Sequence, residues 1–279
     1  MTTASGEANG RKPYDLTGAA HDYLIREGPP RQTLLICTHP RSGSALLGEA
    51  LYFAGGLGCP LEYFHAGFRP GLAARWRTAT LDEHIRAVHR FRTDPGGTLA
   101  VKLFWSDIAE MAAELAPARF SALPTSLPEE LAPETYRAIA AVLAPVFPNP
   151  RFLHLWRGDR LRMAVSGLSA MQTGLWRVIP EAGLQAPRGP VDYDPARIER
   201  YIAHADWSHR HWRNFFAAIG VSAYPVTYEA LTTEYAPTVA ALLAHLGSGA
   251  AIPPVRMQRQ SNAANEAIVL RYLRDRAAR

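Results

Sequence analysis

The chain has 279 residues, 48% of them hydrophobic, enough to bury a full core without disulfide or metal staples. No stretch of about 18 apolar residues occurs, which excludes a helical membrane span. The net charge is +5, but the arginines are scattered and no run of five basic residues appears, which argues against a nucleic-acid surface.

Residues 1–12 are polar and lack the basic-then-apolar pattern of a signal peptide. Residues 1–30 read as a partly flexible tail and 31–279 as a single domain. The two cysteines, Cys37 and Cys59, read as reduced thiols of a cytoplasmic protein. Residues 32–38 (QTLLICT) are a short apolar run that predicts a buried strand. After a polar turn, Leu46, Leu47, Ala50, Leu51 and Ala54 fall at helical spacing, and Gly55-Gly56 ends that helix. Residues 99–104 (LAVKLF) and 152–156 (FLHLW) predict further buried strands. A helix over 106–116 would start at Ser106-Asp107 as N-cap. Residues 117–133 read as a surface excursion, and helices follow over 134–143 and 160–178. Residues 183–194, rich in Gly and Pro, read as a loop or lid hinge. A helical stripe runs from Ile198 to Phe216 and stops at Gly220; then come a strand over 224–228 and helices over 237–246 and 265–276. Strands alternating with helices predict an α/β fold, its mainly parallel central sheet flanked by helices.

In such sheets ligands bind at the carboxyl ends of strands, where helix N-termini present free N–H groups. His39-Pro40-Arg41-Ser42-Gly43-Ser44 falls there. Gly43 permits close backbone approach, Ser42 and Ser44 bring hydroxyl and amide donors, and Arg41 a permanent cation: the needs of a phosphate or sulfate. The loop lacks the first Gly and the Gly-Lys pair of the ATPase phosphate loop. Arg157 follows a strand directly, and Ser166 lies on the helix after it, a pair able to hold a second phosphate. Only Lys12 and Lys102 are lysines, so the compact ammonium of Lys102 stands out.

The ordered set His39-Pro-Arg-Ser-Gly-Ser-Ala-Leu-Leu47, Glu62-Tyr63-Phe64, Lys102-Leu-Phe-Trp105, Arg157-Gly-Asp with Ala164-Val-Ser166, and Gln172-Thr-Gly-Leu-Trp-Arg177 resembles a sulfotransferase. More closely, it resembles the bacterial family typified by mycobacterial trehalose 2-sulfotransferase, from about residue 32 through Pro225-Val226 and Arg259-Gln260-Ser261-Asn262 to the last helix. The resemblance implies a P-loop-like sulfotransferase fold with a helical lid. It also implies 3′-phosphoadenosine 5′-phosphosulfate as donor, 3′,5′-ADP as product, and no metal. By similarity Arg41, Ser42, Gly43 and Ser44 form the phosphosulfate loop, with Ala45 in place of a hydroxyl residue. Arg157 and Ser166 hold the 3′-phosphate, and Arg259 and Asn262 belong to a late cofactor loop. Gly158 stands where the family has Pro, which loosens that turn. Glu62 matches the family's catalytic glutamate, with Arg41 and Lys102 stabilising developing charge; Phe104 stands where cytosolic animal enzymes have their His. His39 and His65 remain alternative bases.

Glu62, His65, Trp105 and Trp176 are expected to contact the acceptor, a hydroxyl of a sugar or other polar small molecule, through loops near 64–80 and 179–194. His154 reads as a core histidine, and His204, His209 and His211 with Trp207 and Trp212 as packing or a sugar-stacking wall. A homodimer is plausible from the family. A small-molecule kinase or a non-catalytic nucleotide-binding protein are the competing readings.

Overall fold

A computed structural model of the chain describes residues 15–24, 27–176, 190–256 and 263–278. Four strands, β1 (Gln32–Thr38), β2 (Thr98–Phe104), β3 (Pro150–Trp156) and β4 (Tyr224–Thr227), form one sheet in the order β2-β1-β3-β4. Every pairing is parallel, and β1 lies central with Leu35 opposite Val101 on one side and Phe152 on the other. A parallel sheet needs cover on both faces, and the alternation of β1 supplies it. Leu34 and Ile36 pack with Leu47, Leu51, Val239 and Leu242, whereas Leu35 and Cys37 pack with Leu99, Val101, Leu103 and Trp212.

In chain order the helices are α1 (Ser44–Ala54), α2 (Arg69–Trp76), α3 (Leu81–Arg92), α4 (Trp105–Leu115), the single turns α5 (Pro117–Phe120) and α6 (Leu123–Ser126), and α7 (Pro133–Leu143). They continue as α8 (Arg160–Thr173), α9 (Pro195–Ile219), α10 (Tyr228–Thr233), α11 (Tyr235–His245) and α12 (Ala263–Ala277). A third apolar cluster joins α8, α9 and α12 through Ala164, Val165, Leu168, Ile198, Val269 and Tyr272.

Several boundaries differ from expectation for local reasons. Trp105, not Ser106, opens α4: Asp107, at the third helical position, accepts the Phe104 N–H at 2.9 Å and caps the helix from inside. Gly174, left-handed at φ 73°, ends α8 five residues before Ile179, so the expected helix over 160–178 is too long. The segment near 64–80 is not only loop, because it carries α2. A capping box opens α3: Thr80 accepts the Glu83 N–H at 3.2 Å, and Glu83 accepts the Thr80 N–H at 3.2 Å. Of the expected hinge at 183–194, residues 183–189 lie outside the described residues.

The segment 15–22 is fixed rather than loose. Leu16 is buried in the core, and the buried Arg92 donates to the carbonyls of Leu16 (2.7 Å), Thr17 (3.3 Å), Gly18 (3.3 Å) and His21 (3.4 Å). Its Nε also meets Asp22 Oδ1 at 3.0 Å.

Candidate functional site

The loop expected to bind an anion lies where β1 stops and α1 begins. Thr38 closes the strand by donating to the Leu155 carbonyl at 2.8 Å, and the chain then turns through residues 39–43. Arg41 holds φ +67°, an uncommon conformation for a side chain of that bulk, and Gly43 holds φ +88° as N-cap of α1. A Cβ on Gly43 would stand 2.8 Å from Tyr228 Cδ2, so the loop needs glycine both for its backbone and for the tyrosine against it. Gly43→Ala should lower stability by about 2 kcal/mol, from the left-handed penalty plus the overlap, read as a fall in thermal melting temperature.

Two guanidinium groups frame the loop. Arg41 Nε donates to Ser166 Oγ at 2.9 Å, and its Nη1 to the Trp176 carbonyl. Arg157 leaves the end of β3 and lies over the Tyr228 ring at 4.2 Å, with its Nε buried and making no hydrogen bond among the described residues. Burial pushes Arg41 below the ordinary arginine value, Tyr201 partly offsets this, and the Arg157 cation adds to the fall. Burial likewise lowers Arg157, against the opposing pull of Tyr228, Asp159 and Glu229. Two half-hidden cations, the first lowered by the second, beside helix N–H groups gain most from an anion placed beside them. Ser166 is brought to this anion site through Arg41. Ser42 is fully buried, and its hydroxyl donates to the Met163 thioether at 3.6 Å, so the hydroxyl is turned away from the loop. Ala45, the second residue of α1, offers a methyl and its amide.

The turn after Arg157 is not loosened by Gly158. Glu229 reaches across from α10 and accepts the N–H of Gly158 at 3.2 Å and of Asp159 at 3.1 Å. A proline would delete the first of these donors, so glycine here exchanges ring rigidity for a carboxylate brace.

Glu62 and Lys102, forty positions apart in sequence, form an ion pair of 2.8 Å, with exposures of only 8% and 4%. Local backbone makes the pair. Gly58, at φ +73°, approaches the backbone at Ala100 so closely that a Cβ would lie 2.7 Å from its nitrogen. Asp94 accepts the Gly58 N–H at 3.1 Å, and Leu61 accepts the Lys102 N–H at 2.9 Å, bridging in parallel to Val101. Residues 58–62 therefore run along the outer edge of β2 and deliver Glu62 beside Lys102.

His65, three residues on, donates from Nδ1 to Asp107 Oδ1 at 2.9 Å. It borders a cavity of about 160 Å³ with Pro40, Phe104, Trp176, Tyr201 and His204. Trp176, 49% exposed, lines this same cavity. Trp105 does not. It is 2% exposed, stacked on His211 at 4.9 Å and set edge-on to Trp212, because it begins α4 with its ring turned into the core. Trp207 and Trp212 are core as well, with Trp207 Nε1 donating to the Pro128 carbonyl at 2.9 Å.

His39 has both ring nitrogens engaged, Nδ1 with the Pro40 carbonyl and Nε2 with His204 Nδ1, each at 3.1 Å. Burial pushes it down to about 3, and the neighbouring His204 adds to this, so at neutral pH it shapes the loop as a neutral ring. His154 meets His209 at 3.1 Å behind it. Arg259 and Asn262 lie outside the described residues, as does Arg177. Sequence reasoning missed Tyr201, whose hydroxyl donates to the Pro40 carbonyl at 3.1 Å, and Tyr228 and Glu229. A tyrosine-glutamate pair directly after the last strand was the one available signal for the latter two.

The chain is 27% identical to trehalose 2-sulfotransferase of Mycobacterium tuberculosis (strain ATCC 35801 / TMC 107 / Erdman), covering 85% of this chain and 93% of that protein. It is 25% identical to trehalose 2-sulfotransferase of Mycolicibacterium smegmatis (strain ATCC 700084 / mc(2)155), covering 86% and 94%. With its family profile matched over residues 33–275, the chain belongs to the Stf0 sulphotransferases.

Proposed function

We propose that the chain moves a sulfuryl group from 3′-phosphoadenosine 5′-phosphosulfate to a hydroxyl of a carbohydrate. The observation that carries the donor is the Arg41–Arg157 pair, with the buried Arg157 Nε making no hydrogen bond among the described residues. A donor with phosphate at both ends of its ribose meets both cations, whereas ATP presents its charge at one end only. When bound, the donor supplies an activated sulfuryl group and leaves as 3′,5′-ADP. The amides of residues 42–44 and Arg41 would hold its 5′ end, and Arg157 with Ser166 its 3′-phosphate. The sugar acceptor is supported by the two relatives, both named for trehalose.

A hydroxyl attacks sulfur well only as it loses its proton. Glu62 holds Lys102 Nζ through Oε1, which leaves Oε2 to take that proton. Once protonated, the carboxyl no longer balances the ammonium. Lys102 is then a buried cation without its counter-charge, next to α1, and turns toward the oxygens gaining charge.

Thermal-shift titration tests the donor reading. Stabilisation by 3′,5′-ADP and not by ATP supports it; the reverse would favour the kinase reading. Arg157→Ala should weaken 3′,5′-ADP by about 10- to 100-fold, the loss of charge-assisted hydrogen bonds, and 5′-AMP far less. Equal loss for both nucleotides removes the role assigned to Arg157.

A further inference from the structure

Among the titratable groups on the wall of the cavity beside the loop, His65 stands apart. His39 has both ring nitrogens engaged, His204 gives its Nδ1 to that histidine rather than to a carboxylate, and the Tyr201 hydroxyl donates to Pro40. His65 uses Nδ1 alone, and among the described residues Nε2 makes no hydrogen bond. Asp107, 1% exposed, is itself fixed at both oxygens: Oδ1 takes the His65 N–H and Oδ2 the Phe104 N–H. The Phe104 ring meets the imidazole edge-on at 5.1 Å. A buried, doubly anchored carboxylate thus sets both the tilt of the ring and which nitrogen faces the cavity.

The turn 62–65 completes the arrangement. The His65 N–H donates to the Glu62 carbonyl at 3.2 Å, so the general base and the imidazole leave one tight turn. The Glu62 charge acts on the His65 ring, so an acceptor whose attacking hydroxyl sits at Glu62 brings its neighbouring oxygens toward His65.

We propose that His65, held by Asp107 as positioning residue, donates from Nε2 to an acceptor oxygen adjacent to the attacking one, so that the site selects vicinal diols over isolated hydroxyls. This rests on the sulfuryl-transfer reading with Glu62 as base. Donation from Nε2 requires the imidazolium, or the tautomer with hydrogen there. The surroundings favour the charged ring: the Asp107 hydrogen bond raises His65 most, Glu62 on its own segment and Glu110 of α4 add to this, and partial burial opposes it. The other groups facing it across the cavity, His39 and His204, are held neutral by burial, and burial raises Tyr201. The grip is therefore present below a histidine value raised above 6.5 and is lost as pH climbs through it.

The test compares trans-1,2-cyclohexanediol, methyl α-glucoside and trehalose with cyclohexanol as acceptors of labelled sulfate. Wild type should prefer the diols. His65→Gln, on the partly exposed rim where folding is spared, should raise KM for the diols by about tenfold, the worth of one charge-assisted hydrogen bond. Its kcat should change by less than about threefold, because ground-state and transition-state binding lose the contact alike. KM should rise with pH in wild type, and Asp107→Asn should move that break to lower pH. Nuclear magnetic resonance gives a second readout that needs no acceptor: the His65 ring signal, identified by its absence in His65→Gln, should titrate lower in Asp107→Asn. Equal use of cyclohexanol and diol, an unchanged KM in His65→Gln, or a His65 titration indifferent to Asp107 overturns the proposal. Failure of every diol in a protein that 3′,5′-ADP still stabilises overturns it too. A protein that 3′,5′-ADP does not stabilise instead fails the sulfuryl-transfer reading.

Discussion

Glu62→Gln should lower kcat by at least about 100-fold while leaving 3′,5′-ADP affinity unchanged. The amide matches the carboxylate in shape but cannot take a proton, so the loss falls on the step in which the hydroxyl attacks. A second effect comes with it. Glu62 is the partner of a lysine only 4% exposed, and removing one half of a buried pair leaves the other uncompensated, at about 3–5 kcal/mol. Lost activity could therefore be mistaken for lost fold. The double variant Glu62→Gln with Lys102→Met separates the two, because it removes both charges. It should regain much of the melting temperature and none of the turnover. Steady-state rates beside thermal melts decide the matter. Undiminished turnover in a folded Glu62→Gln would move the proton-accepting role to His65.

The second large effect is a loss of stability in mild acid. His39, His154 and His209 stand in one row behind the loop, with His39 and His209 ring centres 6.4 Å apart. Burial, reinforced by neighbouring cations and rings, pushes them down to about 3, 4 and 2 respectively. The folded protein therefore refuses protons that the unfolded chain accepts near 6.5, the ordinary histidine value. Because the unfolded state binds more protons in that interval, stability rises with pH between about 4 and 6.5 and is lost as pH falls through it. At pH 5 each histidine contributes a loss of roughly 2 kcal/mol, and the three together approach the whole stability of an ordinary domain. Urea unfolding at pH 7.5 and pH 5 measures this directly. The pH dependence should shrink in a His154→Asn, His209→Asn double variant; a dependence that persists unaltered would place its origin elsewhere.

The turn between β1 and α1 was legible in the sequence because its signals are local: Arg, Ser and Gly follow one another between a strand and a helix. The parallel α/β arrangement was legible for the same reason, since each strand reads as its own apolar run. What escaped was set by distant partners. Glu62 could be named, but its pairing with Lys102 depends on Leu61 bridging to Val101 and on Gly58 lying against β2. Gly158 looked like a weakened turn because its brace, Glu229, lies 71 residues away. Trp105 was misassigned because a tryptophan at a strand's end can face either a pocket or the core, and the Asp107 cap decides which. Helix α3 was overlooked despite the Thr80–Glu83 capping signal, its apolar positions being thinly spread among charged ones.

Arg92 ties residues 16–22 to α3 across some seventy positions, by four carbonyl contacts and Asp22. The guanidinium cannot be buried without those oxygens, and of the four only the Gly18 carbonyl has a second donor among the described residues, the His21 N–H at 3.2 Å. During synthesis, residues 16–22 emerge long before the side chain that holds them. They must stay available while the intervening strand and helices form, and the loop they close makes theirs a late contact in folding. The docking of this early segment therefore waits on the placement of α3.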